Sequence, residues 1–272
     1  MMKTYLLKLQ SLGIAMGLTL GAVMVLSMFA WTTASAAVAN TPHNLSSSGT
    51  GPNTFSGTTE VCVFCHTPHG ADDSAAVPLW NRTLALPTAY TTYDTLGTTS
   101  LDGATAPVGS VSIACLSCHD GTQAMDALLN DPGSGAVVAS FTGGTWTGND
   151  RPQGIADLTQ VLTDDHPIGI QYGGGGITTS LLVGPTDDPD FIVPANDLIN
   201  GTTVWWVDTN GGTAAREKTD MQLYTRTEAS VAGGAQPFVE CASCHDPHSE
   251  TPDLFLRVSN DASAVCLACH VK

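Results

Sequence analysis

The chain has 272 residues, with nine Lys or Arg against 25 Asp or Glu and a formal net charge of −16. An acidic balance of this size argues against nucleic acid and against anionic membrane surfaces, both of which need basic patches. The acidic residues are dispersed and not blocked, which reads as a solvated exterior and not as an interaction tail.

In chain order, the first element is an export signal over residues 1–36. Lys3 and Lys8 form a short basic start, an apolar run follows from Leu12 to Trp31, and Ala34-Ser35-Ala36 offers a small-residue cleavage site before Ala37. A run this long has a second reading, a retained N-terminal anchor. No cysteine follows it at which a lipid could be attached, and no second apolar stretch is long enough to span a bilayer. Cleavage removes Lys3 and Lys8, leaving seven basic residues against 25 acidic ones, a net charge of −18. It also removes Met1, Met2, Met16, Met24 and Met28, so only Met125 and Met221 remain.

The eight cysteines fall into four pairs, and every pair is followed at once by histidine. The segments are Cys62-Val-Phe-Cys65-His66, Cys115-Leu-Ser-Cys118-His119, Cys241-Ala-Ser-Cys244-His245 and Cys266-Leu-Ala-Cys269-His270. Each is the pattern of c-type haem attachment. Two thiols at this spacing can form thioethers to the two vinyl groups, and the next histidine then binds the iron from below as an axial ligand. Zinc, a redox disulfide and a disulfide framework also use paired cysteines. None of them requires a histidine after every second cysteine. The expectation is four covalently bound haem c groups.

The histidines then count out. Beyond His66, His119, His245 and His270, four remain: His43, His69, His166 and His248. Four irons need four sixth ligands, and two methionines cannot supply them. All eight histidines are therefore read as axial ligands, giving four bis-histidine haems. His69 and His248 lie in His66-Thr67-Pro68-His69 and His245-Asp246-Pro247-His248. Three residues reach about 10 Å at most, too short to pass round a porphyrin to its far face. The proline also extends the residue before it. Neither histidine can bind the haem attached beside it, so each must serve a different one.

The mature chain, 37–272, repeats one order of motifs in two dihaem units, about 37–150 and 151–272. Each runs spare histidine, then Cys-x-x-Cys-His-x-Pro-His, then Cys-x-x-Cys-His. From this order the expected distal ligands are His43 for the first haem, His69 for the second, His166 for the third and His248 for the fourth. The spacers are rich in Gly, Thr, Ser and Pro, with runs such as Gly173-Gly174-Gly175-Gly176, and composition alone reads them as disordered. The expected fold is a mostly irregular chain wrapped round a haem core, with short helical turns at the attachment motifs. One small β-hairpin is expected, from 203–207 to 221–224 with a turn near Asn210-Gly211-Gly212. Trp205 and Trp206 fall on opposite faces of its first strand.

The run Cys241-Ala-Ser-Cys244-His245-Asp246-Pro247-His248, with Leu254-Phe255-Leu256-Arg257 and Val265-Cys266-Leu267-Ala268-Cys269-His270, resembles the doubled Cys-x-x-Cys-His domain of multihaem cytochromes. Cys62 to Gly70 looks like the same unit. The mature chain is similar to the extracellular multihaem cytochromes of metal-reducing bacteria, nearest in haem number to the tetrahaem ones that polymerise into conductive filaments. The resemblance implies electron transfer outside the cell or at its surface, with no catalytic residues. Its partners would be redox proteins, extracellular acceptors and further copies of the chain. In such filaments a histidine of one subunit can ligate a haem of the next, and His43 or His69 would do so here. The polar segment from Val38 to Gly57 reads as an arm able to reach a neighbour. The alternatives are a monomeric periplasmic shuttle and a multihaem reductase, the second of which needs an iron with an open position.

Overall fold

The computed structural model describes residues 37–133, 143–177, 186–211, 215–228, 231 and 234–271. The expected signal, 1–36, lies outside the described residues. Residues Ala37–Lys272 gather into one compact unit. Among the described residues no helix is long and apolar enough to cross a membrane.

Regular structure is sparse in the first half. A two-stranded ribbon pairs β1 (Thr54–Phe55) with β2 (Trp146–Thr147), and the longest described helix is α1 (Ser112–His119). Apolar residues compensate by clustering in two small cores. One holds Trp80, Tyr90, Val108, Ile113, Leu116 and Leu162; the other holds Leu45, Phe55, Val63, Phe64 and Met125. The segment expected to be a free arm is folded in. Leu45, Asn44, Ser46 and Phe55 are buried, and Asn44 ties to Ala39 O at 2.8 Å and to the Ser46 hydroxyl at 2.7 Å. Short polar side chains bonding their own backbone give this stretch order that apolar patterning does not reveal.

The second half contains an antiparallel sheet of order β3-β7-β6-β5-β4, from β3 (Ile170–Gln171), β4 (Ala195–Ile199), β5 (Thr202–Val207), β6 (Met221–Arg226) and β7 (Gln236–Val239). The expected hairpin is present as β5 and β6, with Trp205 opposite Leu223 and Val207 opposite Met221. It is the inner part of a five-stranded sheet and not a small hairpin alone. β4 joins β5 through Asn200 and Gly201, at φ 51° and 81°. That is the Asn-Gly pair that suits a two-residue hairpin turn. β7 contains Pro237, which removes a ladder donor. Pro237 is accommodated because β3 pairs only with Phe238 and Val239. Both tryptophans are buried at 1% exposure, so both faces of β5 are covered. The Gly173–Gly176 run is an ordered turn, not a disordered spacer: Gly173 and Gly175 carbonyls accept from Asp188 N and Asp187 N.

The two halves share a buried polar seam. Glu240, 1% exposed, accepts from the Ser112 hydroxyl at 2.5 Å and from Arg226 Nη1 at 3.0 Å. Ser112 Oγ accepts in turn from Cys241 N at 2.9 Å, and Arg226 Nη2 donates to Pro107 O at 2.9 Å. The first turn of α1 is thereby pinned to the start of the third cysteine motif.

Candidate haem-binding site

Each attachment motif sits on a single turn, as its spacing demands. The first is a 3₁₀ turn (Cys62–Phe64), the second lies on α1, the third on α2 (Cys241–Cys244) and the fourth on α3 (Ala264–Leu267) and the residues after it. In three of them the histidine amide closes the turn onto the first cysteine carbonyl: His66 to Cys62 at 2.8 Å, His245 to Cys241 at 3.2 Å and His270 to Cys266 at 3.0 Å. α2 is further fixed by a reciprocal cap between Glu240 and Ser243. None of the eight cysteines is joined in a disulfide. Among the described residues no three His, Cys, Asp or Glu converge as they would on a zinc ion.

The sulfurs form a series in chain order. Cys65 lies close enough to Cys118 to feel its charge. The Cys115 thiol donates to Cys241, which holds the Cys115 thiol above its ordinary range and Cys241 below it. Cys244 is within electrostatic reach of both Cys266 and Cys269. Burial pushes the Cys65 and Cys269 thiols up to about 12. The first cysteine of the first motif, Cys62, and the first of the last motif, Cys266, are the exposed ones.

The motif histidines are oriented through their second nitrogen. His66 Nδ1 lies 2.9 Å from Pro78 O, His119 Nδ1 2.7 Å from Ala156 O and His245 Nδ1 2.8 Å from Leu254 O. A carbonyl can only accept, so each Nδ1 carries the proton and each Nε2 keeps its lone pair for a metal. His270 packs against Phe191 at 4.4 Å between ring centres. The Trp80 ring stands edge-on to His66 at 5.9 Å, and its buried indole N–H has no protein partner. The same holds for Nε of Arg82, whose charge reaches Cys65 and Cys118. Paired sulfurs on one turn, a pre-set imidazole tautomer and unmatched buried donors nearby fit a covalently attached haem.

The spare histidines separate into two kinds. His43 is half-buried, stacked on Phe255 at 4.2 Å and 13°, and its ring centre is 6.1 Å from that of His119. Burial first, then the neighbouring His119, pushes His43 down to about 4, so the ring is neutral near pH 7. His248 faces His66, with ring centres 6.2 Å apart and planes at 14°. His248 is exposed as well. His69 and His166 are exposed without a ring contact to a motif histidine among the described residues, and His166 Nδ1 lies 3.1 Å from the carbonyl of its own neighbour Pro167. These placements differ from the order of the motifs along the chain. His43 comes to the second motif and not the first, and His248 comes to the first and not the fourth. The physical reason is the fold: the Asp246-Pro247-His248 loop extends over the first half, and Pro247 O lies within hydrogen-bond reach of the His43 ring. Met125 and Met221 are both packed in apolar cores. Glu240, Trp80, Arg82 and Phe255 were not singled out by their pattern in the sequence. Only Glu240 left a trace there, as a cap residue three positions before Ser243.

Residues 231–272 match the family model of the doubled CXXCH motif, which spans the third and fourth motifs. The chain therefore carries the paired haem-attachment pattern of multihaem c-type cytochromes, and Cys62–His66 and Cys115–His119 repeat it outside the matched segment. No curated protein sequence matches the chain.

Proposed function

We propose that the chain is an exported electron-transfer protein holding four c-type haems, each between two histidines, and that it works outside the cell in a head-to-tail assembly. The observation that supports this reading is that cysteines of successive motifs lie within electrostatic reach of one another, Cys65 of Cys118, Cys115 of Cys241 and Cys244 of Cys266, with one exposed cysteine in the first motif and one in the last. When bound, the haems supply one-electron exchange. The chain's own residues do the rest: the cysteine pairs attach, Nδ1 carbonyl contacts aim the imidazoles of His66, His119 and His245, and the packed halves keep neighbouring attachment sites close. An arrangement with two accessible ends suits entry at one and exit at the other. A contact between unlike ends that does not close into a ring gives an open filament. His43, held inside its own chain, is a poor junction ligand, whereas exposed His69 is free to approach a neighbouring subunit.

Denaturing mass spectrometry of the mature protein tests the core of the proposal, with four haem increments expected. Fewer would defeat it. Sizing chromatography at low concentration tests the assembly. A monodisperse monomer whose size is unchanged by His69→Ala would leave a shuttle in its place.

A further inference from the structure

We infer that the second half lends an axial ligand to the first: His248 completes the iron site of His66, while His43, from the first half itself, completes that of His119. The inference rests on the haem reading above and deepens it.

Two imidazoles bound to opposite sides of one iron stand about 6 Å apart between ring centres. The span is two metal–nitrogen bonds of roughly 2 Å plus about 1 Å from each nitrogen to its ring centre. His66 and His248 stand 6.2 Å apart, and His43 and His119 stand 6.1 Å apart. Direct stacking gives a shorter separation, as His43 on Phe255 shows at 4.2 Å. His66 and His119 each spend Nδ1 on a backbone carbonyl, which leaves Nε2 for the metal. His248 is positioned by its own loop, through its backbone N–H to Asp246 Oδ1 at 3.0 Å. Asp246 is in turn paired with Lys218 at 3.3 Å.

The consequence is an interlock. A loop of the second half closes a site on the first, so the second dihaem unit gives up one of its two spare histidines and the two units do not fold as independent ligand sets. The ring planes also differ, at 14° for His66 and His248 against 63° for His43 and His119. The rhombic splitting of a low-spin ferric iron falls as two axial imidazoles rotate from parallel toward perpendicular. The two sites therefore have distinguishable paramagnetic signals.

The test is electron paramagnetic resonance of the haem-loaded full chain, with haem mass measured on the same samples. His248→Ala should keep four haems, move one quarter of the iron to high spin and remove the more rhombic low-spin signal. His43→Ala should do the same to the more axial one. The double variant His66→Ala/His248→Ala should still show three low-spin haems, because both changes fall on one iron; two low-spin haems would overturn the pairing. If that variant does not accumulate, His43→Ala/His119→Ala repeats the count. A His248→Ala protein with every iron low-spin also overturns the pairing while leaving the haem reading intact. Fewer than four haems in the unaltered protein defeats that reading instead.

Discussion

The two halves hold the same kind of motif by different means. In the first, buried polar side chains organise irregular chain. Asn81 donates to Val63 O at 2.7 Å and Asn130 O at 2.9 Å and accepts from Asn130 N at 2.9 Å. Arg82 reaches the carbonyls of Met125, Ser117 and Ala124, each at 2.9 Å. In the second half the motifs adjoin a sheet whose apolar core includes Trp205, Val207, Met221 and Leu223. What repeats is the order of motifs along the sequence and not the scaffold. A haem-attachment motif needs only one turn of defined geometry, so the surrounding chain is free to differ.

Four substitutions break or sharpen this contrast. Glu240→Ala acts on the seam common to both halves and leaves Arg226 with less compensation, so it should cost about 4 kcal/mol. Denaturant unfolding of the haem-loaded protein should show both halves weakened together; a loss confined to one half would mean the seam does not join them. Trp205→Ala should cost about 3 kcal/mol through the cavity it leaves. Hydrogen exchange should then rise across 195–239 and stay unchanged across 62–130, and a uniform rise would refute the division. Asn81→Ala strands the Val63 and Asn130 groups and should cost about 2 kcal/mol. Its effect should fall on the first half, read as faster proteolysis there at unchanged haem content. Lys218→Ala removes an ion pair with a largely exposed lysine and should change stability by less than about 1 kcal/mol. A larger drop would show that the Asp246 loop depends on that pair.

The strands that escaped sequence reading did so for identifiable reasons. β4 carries only moderate apolar alternation, yet Asn200-Gly201 marked its turn in plain view. β7 was masked by Pro237, which ordinarily argues against an inner strand. The β5–β6 pair was readable because Val204, Trp205, Trp206 and Val207 are strong strand formers in one run. The buried Asn44 and Ser46 network was not, since its polar residues read as surface.

The sequence by itself determined where haem attachment is expected, because two thiols and an adjacent imidazole on one turn are a local requirement written within five residues. It also excluded the nearest histidine as a partner for His66 and for His245, because chain reach is local too. Which distant histidine meets which motif was decided only by tertiary structure. His248 comes beside His66 through the packing of one half on the other and the course of the Asp246-Pro247-His248 loop, and His43 comes beside His119 through the folding of the first half on itself. Motif order is preserved along the chain whatever the chain does in space, so it could not report a pairing set by folding.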